Sequence, residues 1–299
     1  MAMTTPLPLL AGPTGPAPAA PFVGLTALWI QLTGTWCNLE CTHCLNASGP
    51  REPWLKPLAP AVARRAIAEA ETLGVREIYF TGGEPFLHAQ ILPLLETSLA
   101  VAPTTVLTNG TVMTEATADG LRALAAAARY SLEIRVSLDD VDPVLNDRIR
   151  GEGAWAAAIR TLRRLEDRGL LPIVTATDVL SAESAPGGGM YQRFRDFLLS
   201  LGIAKPRVKI IPVFPVGRLE RQGGERLTEE ALEGFDRTQL QCAETRVVAD
   251  GGVYACPILA GLPAARLSPR GLAESFRPAA LYHAACVTCH QTGMTCRNV

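Results

Sequence analysis

Trp36-Cys37-Asn38-Leu39-Glu40-Cys41-Thr42-His43-Cys44 sets three cysteines at CxxxCxxC spacing, directly after an apolar run, Ala27–Leu32, that reads as a strand. The loop between them, Thr33-Gly34-Thr35, is small and polar. Three thiolates this close form a ligand set for an iron–sulfur cluster or zinc. A four-iron cluster held by three protein thiolates keeps one iron open to a non-protein ligand. A structural zinc site or a buried thiol group is the competing reading of the same spacing.

Outward from this stretch, strand and helix patterns alternate to about residue 213. The strand candidates are Ala27–Leu32, Glu77–Phe80, Thr104–Thr108, Leu132–Leu138, Pro172–Thr177 and Val208–Val213. Segments with helical apolar spacing lie between them, at about Ala61–Leu73, Ala89–Ala100, Thr114–Ala128, Ala154–Arg168 and Tyr191–Leu201. Leu73-Gly74, Arg168-Gly169 and Leu201-Gly202 each place a glycine where a helix ends by turning left-handed. Six such units with parallel crossovers predict an α/β fold, either an open sheet or a partial barrel.

In folds of this kind the chemistry sits at the C-terminal ends of the strands. The polar and glycine-rich breaks all fall there: Cys37–Cys44, Gly82-Gly83-Glu84-Pro85, Asn109-Gly110, Ser137 with Asp139, Thr175 with Thr177 and Asp178, then Pro215 and Gly217. Two glycines after Ile78-Tyr79-Phe80-Thr81 let the backbone come close to a ligand and bare its carbonyls, and Glu84 adds a carboxylate. Together these suit an ammonium group. Ser137 and Asp139 alternate with Val136 and Leu138, so both face one side of their strand. The bland alternatives are an ordinary turn at Asn109-Gly110 and a solvated loop at Asp139-Asp140.

These residues together resemble the radical S-adenosylmethionine (radical SAM) enzymes. That family's signature is CxxxCxφC with φ usually aromatic, and His43 stands at φ. The resemblance implies a (βα)6 partial TIM-like barrel. It implies a [4Fe-4S] cluster on Cys37, Cys41 and Cys44 whose open iron chelates S-adenosylmethionine, and reductive cleavage of that cofactor to a 5′-deoxyadenosyl radical that abstracts hydrogen from a substrate. It further implies cofactor contacts from His43, Gly82, Gly83, Glu84, Asn109, Ser137, Asp139 and Thr175, with Glu84 reading the methionyl ammonium and the Ser137–Asp139 strand end reading the ribose. No catalytic acid or base is singled out.

At 299 residues the chain accommodates one large domain, or a large and a small one, and 48% hydrophobic residues are ample for a core. A net charge of −1 with no basic run argues against a nucleic-acid partner. Met1–Pro21 lacks the basic and apolar regions of a secretory signal and reads as a mobile Pro/Ala-rich tail, assigned to residues 1–24. No apolar run is long enough to span a bilayer. Eight cysteines without a secretory route point to metal or redox chemistry in the cytoplasm.

No cysteine lies between Cys44 and Cys242, which predicts two sites on two pieces: a barrel over residues 25–220 and a cysteine-rich segment over 221–299. In the second piece Leu227–Leu240 reads as a helix with Thr228 at its N-cap. Asp250-Gly251 between Thr245–Ala249 and Val253–Ala255 reads as a hairpin that brings Cys242 and Cys256 together. Cys286-Val287-Thr288-Cys289 is a CxxC pair, and Cys296 follows. This layout resembles the C-terminal extension called SPASM, or its shorter form, twitch. It lacks the later CxxxC and final cysteine of the full extension. One auxiliary [4Fe-4S] cluster is therefore expected on Cys242, Cys256, Cys286 and Cys289, with Cys296 open as a substitute ligand or a spare. A zinc ribbon is the alternative for this site.

The family reading implies a low-potential electron donor of the flavodoxin or ferredoxin type. It implies a substrate that is either a small metabolite or a ribosomally made peptide. About 26 residues precede the first strand, too few for a peptide-recognition domain, so a separate protein would supply that function. The competing classes are a non-catalytic iron–sulfur electron carrier and a zinc-stabilised binding module.

Overall fold

The computed structural model describes residues 16–51, 53–179, 189–220, 224–293 and 296–297. After a two-residue strand β1 (Ala19–Ala20) the chain alternates through β2 (Ala27–Gln31), α1 (Pro60–Thr72), β3 (Glu77–Thr81), α2 (Ile91–Leu99), β4 (Thr104–Thr108), α3 (Glu115–Ala127) and β5 (Leu132–Ser137). It continues through α4 (Pro143–Arg150), α5 (Ala154–Glu166), β6 (Ile173–Thr177), α6 (Met190–Ser200) and β7 (Arg207–Ile211). β2 to β7 pair in sequence order, all in parallel, giving the expected partial barrel.

Alternation along the strands creates two apolar layers. Outward residues such as Ile30, Ile78, Phe80, Val106, Ile134, Val136 and Val174 pack under the helices. Helix α5 shows the matching pattern: Ala158, Leu162 and Leu165 fall at i, i+4 and i+7 and are buried. The inward face carries Ala27, Trp29 and Tyr79. The Trp29 and Tyr79 rings stack at 4.2 Å. Helix α4 was not foreseen, although Asp142-Pro143 is a start signal. Asp142 accepts the N–H groups of Val144 and Leu145, and Pro143 takes the first helical position.

The expected hairpin is present as β8 (Thr245–Ala249) and β9 (Gly252–Tyr254), but it is not a separate appendage. β8 pairs in parallel with β2, and β10 (Arg266–Ser268) adds to β9. One sheet thus runs β10-β9-β8-β2-β3-β4-β5-β6-β7. A further strand, β11 (Ala279–Ala280), pairs with β1, so the end of the expected N-terminal tail is anchored; residues 1–15 of that tail lie outside the described residues. Helix α7 (Ala284–Thr292) follows, its first turn capped by His283 Nδ1, which accepts the Ala285 N–H at 3.1 Å.

The helix expected over Leu227–Leu240 does not form. Two short 3-10 turns, Glu230–Leu232 and Arg237–Gln239, stand in its place. Gly234 adopts φ +74° between them, a conformation that interrupts a helix, and Asp236 caps the second turn. Thr228 still accepts the Ala231 N–H. Arg221, Gln222 and Gly223, a few residues before this stretch, lie outside the described residues.

Arg246 holds the C-terminal piece together, and Arg297 ties it to the barrel. The Arg246 guanidinium is completely buried and donates to the carbonyls of Cys242, Thr245, Ser275 and Arg277, with the Phe22 ring 4.1 Å away. Arg297 pairs with Glu77 and Glu244, while Arg135 donates to the Cys296 carbonyl and Lys209 to that of Arg297. The terminal segment is therefore seated against the inner face of the barrel. Among the described residues no helix is long and apolar enough to cross a membrane.

Candidate active site and cysteine centres

One cleft opens at the C-terminal ends of the strands. Cys37, Cys41 and Cys44 line it with His43, Gly82, Gly83, Asn109 and Ser137, all foreseen from the sequence. All eight cysteines are free thiols.

The cysteine loop is held from several sides. Gly83 lies so close beneath it that an added Cβ would stand 2.0 Å from the Trp36 carbonyl oxygen. Trp36 O accepts the Glu84 N–H at 3.0 Å. Arg218, which follows β7, donates to the carbonyls of Cys41 and Ser48 at 2.8 and 2.6 Å. Each of the three sulfurs meets an N–H group. Cys37 Sγ accepts from Leu39 N at 3.4 Å and from Asn109 Nδ2 at 3.6 Å; Cys44 Sγ accepts from Ser48 N at 3.3 Å; Arg150 Nη1 is 4.0 Å from Cys41 Sγ. Burial pushes the Cys37 thiol up to about 12 and raises that of Cys41, where Arg150 opposes it. Such thiols ionise when they bind metal, so metal loading releases protons here. Three convergent thiols with N–H donors on their sulfurs fit a cluster whose charge those donors offset.

Three foreseen residues occupy other positions than expected. Glu84 is completely buried behind the cleft wall, and its carboxylate is engaged by the protein. Oε1 accepts from Phe86 N and Thr108 Oγ1, and Oε2 accepts from Asn109 N at 2.7 Å. It splints the end of β3 to the end of β4. The groups left facing the cleft are the backbone of Thr81, Gly82 and Gly83. Burial, which outweighs these hydrogen bonds, raises the Glu84 carboxyl to about 7. Asp139 also stands behind the wall, 1% exposed. Its Oδ2 lies 2.7 Å from Arg150 Nε and 3.1 Å from His43 Nε2, and Oδ1 accepts the Thr177 N–H. Burial alone would raise this carboxyl, but Arg150 and His43 outweigh it and hold it well below the usual carboxylate range. Asp139 thus orients two residues that do line the cleft. Thr175 does not reach the cleft; Thr177, two residues on, does.

Arg150 is the site residue the sequence reading missed. It ends α4 and lines the cleft beside Cys41. The signal was the cap at Asp142-Pro143, which places a helix, and so its C-terminal arginine, next to the fourth barrel strand.

Glu84→Gln tests the splint. One amide oxygen cannot replace both carboxylate oxygens, and the Gln N–H₂ would face a donor. The metal-free protein is expected to lose about 1–3 kcal/mol in urea unfolding. Unchanged unfolding would show that the three hydrogen bonds carry no stability.

The second cysteine group lies in the C-terminal piece. Cys242, Cys256, Cys286 and Cys289 line one small apolar cavity with Leu240, Ile258 and Leu281. Cys286 and Cys289 share one face of α7 at i, i+3. Burial pushes the Cys242 thiol up to about 12 and that of Cys286 to about 11. Burial raises Cys256 and Cys289 well above the ordinary thiol value, and neighbouring thiols add to it. Cys296 is outside the cavity lining, yet its backbone is fixed: its N–H donates to Gln241 Oε1 at 2.9 Å. Among the described residues no three His, Cys, Asp or Glu side chains converge on a single-ion position.

Comparison with known proteins agrees with this geometry. The chain is similar to the mycofactocin maturase MftC of Mycolicibacterium smegmatis, 33% identical over 134 residues, or 44% of this chain and 32% of that protein. It is similar to the AdoMet-dependent heme synthase of Oleidesulfovibrio alaskensis, 28% identical over 200 residues, 66% of this chain and 48% of that one. The matched stretches thus span about a third to a half of these relatives. Among solved structures, native anSMEcpe with bound AdoMet superposes with a TM-score of 0.62 at 15% identity, covering 84% of this chain and 80% of that one. Streptococcus suis SuiB gives 0.58 at 15% identity, covering 84% and 64%. The profile of the radical SAM superfamily matches residues 32–184, from the end of β2 past β6, and so takes in the cysteine loop, the Gly82-Gly83-Glu84 turn and Arg150. The chain belongs to the radical SAM superfamily.

Proposed function

We propose that this chain is a radical SAM enzyme acting on a peptide or a small metabolite, with one auxiliary [4Fe-4S] centre. The observation that carries the reading is the convergence of Cys37, Cys41 and Cys44, each with an N–H donor at its sulfur, on a cleft that also presents Ser137, Arg150 and the backbone of Gly82 and Gly83. When bound, the cluster and S-adenosylmethionine supply one-electron cleavage of the sulfonium and hydrogen-atom abstraction from the substrate.

The chain's residues divide the remaining work. The bare backbone of Thr81–Gly83 suits the cofactor's ammonium, Arg150 suits its carboxylate, and Ser137 at its strand end suits the ribose. Asp139 keeps His43 and Arg150 in place. Leu107, Ile211, Val213 and Phe214 form an apolar wall that excludes water. The relatives' names, a maturase and a heme synthase, support both substrate classes. A flavodoxin- or ferredoxin-type donor would reduce the cluster, a separate protein would present a peptide substrate, and the chain would work in the cytoplasm.

Cys242, Cys256, Cys286 and Cys289 would hold the auxiliary centre in residues 221–299, a twitch-like arrangement that takes an electron from the substrate or binds it. Thiolates around one tetrahedral zinc at about 2.3 Å stand about 4 Å from each other. Zinc on the same four thiols is the alternative, and metal analysis of the purified protein distinguishes the two.

Iron and nucleoside counts test both centres. The Cys37→Ala/Cys41→Ala/Cys44→Ala protein is expected to release no 5′-deoxyadenosine while keeping about four irons. Cys256→Ala is expected to lose about four irons, and Cys296→Ala none. Equal losses from the Cys256 and Cys296 variants would make Cys296 a ligand in place of one of the four.

A further inference from the structure

Two buried donors are left unused at the C-terminal cysteine cavity: Gln241 in its wall, and Tyr282 next in the chain to the wall residue Leu281. Gln241 is 7% exposed and lines the cavity with the four cysteines. Its orientation is determined, because Oε1 accepts the Cys296 N–H at 2.9 Å. The amide Nε2 has no hydrogen-bond partner at ordinary distance among the described residues, and the Gln241 side chain also acts on the Cys296 thiol. Tyr282 is 4% exposed, and its hydroxyl is likewise without a partner among the described residues. The charged or ionisable groups within its electrostatic reach are Cys256, Cys286 and Glu220.

A buried N–H or O–H without an acceptor is costly and rare. One of them in the wall of a cavity otherwise apolar and lined by thiols, and a second within electrostatic reach of two of those thiols, indicate that an acceptor belongs there. Sulfur is the acceptor this site would hold. N–H and O–H groups directed at the sulfurs of a cluster stabilise its reduced, more negative form, and so raise its potential. The apolar walls of Leu240, Ile258, Leu259 and Leu281 strengthen the effect by excluding water.

We propose that Gln241 Nε2 and Tyr282 Oη are hydrogen-bond donors to the sulfur atoms of the centre held by Cys242, Cys256, Cys286 and Cys289, and that they set its reduction potential. The inference rests on the reading of that site as an iron–sulfur centre. Both residues are positioning residues: they act on the substrate only through the potential of the centre. Gln241 has a second task on the same amide, holding Cys296 beside the site.

The test is a mediated redox titration of the full-length, iron-loaded protein, followed by electron paramagnetic resonance. The C-terminal centre is the signal that does not change when S-adenosylmethionine is added. Tyr282→Phe and Gln241→Leu are each expected to keep the iron content and to move that centre's midpoint potential to more negative values. The double variant should shift further in the same direction than either single variant. Thermal melting of metal-free Tyr282→Phe supplies the second readout: removing an unpaired buried hydroxyl should leave the melting temperature unchanged or raise it. An unchanged potential with full iron overturns the inference and leaves the centre standing. A Tyr282→Phe protein that loses iron, or melts lower when metal-free, assigns the hydroxyl to the fold and also overturns it. A wild-type protein with no second signal and no second set of irons overturns the reading of the site, and the inference with it.

Discussion

Gly83→Ala is expected to empty the first cysteine site of iron and to destabilise the protein by about 1–3 kcal/mol, the usual range for overpacking. An alanine Cβ would stand 2.0 Å from the Trp36 carbonyl oxygen, 2.3 Å from its carbon and 2.8 Å from Cys37 Cβ. The obstacle is backbone, so no side chain can swing aside. The Trp36 carbonyl is also engaged by the Glu84 N–H, and the Cys41 and Ser48 carbonyls are held by Arg218. Moving the loop outward therefore breaks hydrogen bonds and displaces Cys37 from Cys41 and Cys44. Iron and sulfide analysis with a thermal melt checks the outcome. A variant that keeps its full iron load and wild-type melting would mean that the close approach of the two loops does not position the cysteines.

Arg246→Met is expected to cost about 3–5 kcal/mol, because it removes the hydrogen bonds of one buried guanidinium to four carbonyls, partly relieved by relaxation and by the Arg277 N–H that Ser275 O already accepts. The guanidinium meets the carbonyls of Cys242 and Thr245 on one side and those of Ser275 and Arg277 on the other. Burial lowers its own pKa to about 10, so it remains protonated at neutral pH. Methionine fills the volume without donating. The C-terminal cysteines should lose iron at lower urea than the wild type, because Cys242 is one of the residues released. Urea unfolding followed by far-ultraviolet circular dichroism reads the stability. A loss under about 1 kcal/mol would place the segment's stability elsewhere.

Much of the barrel could be read from the chain because its strands are buried on both faces and stand out as apolar runs. Trp29, Ile78, Val106, Val136 and Val174 mark five of them, and helix ends such as Gly74, Gly169 and Gly202 punctuate the rest. The cysteine loop and the Gly82-Gly83 turn were legible because their spacing is local. What escaped depends on partners far away in the chain. Nothing in Thr245–Ala249 announces that it pairs with Ala27–Gln31. Glu84 and Asp139 were placed in the cleft because carboxylates suggest ligands. The structure buries both, and their partners, Thr108, Asn109, Arg150 and Thr177, come from other strands and loops. Cys296, open in the sequence as a substitute ligand or a spare, has its backbone held by Gln241 and Arg135, both distant in the chain. Arg246 reads as an ordinary charge in a short strand, and only the carbonyls around it give it a role.

The central claim is that Cys37, Cys41 and Cys44 bind a cluster that cleaves S-adenosylmethionine. Anaerobic incubation of the iron-loaded protein with dithionite and S-adenosylmethionine, followed by chromatography, tests it most directly. The account predicts 5′-deoxyadenosine and methionine in equal amounts, with neither product from the protein whose three cysteines are replaced by alanine. A fully iron-loaded, reduced protein that leaves S-adenosylmethionine intact, or a triple variant that still cleaves it, would contradict the account.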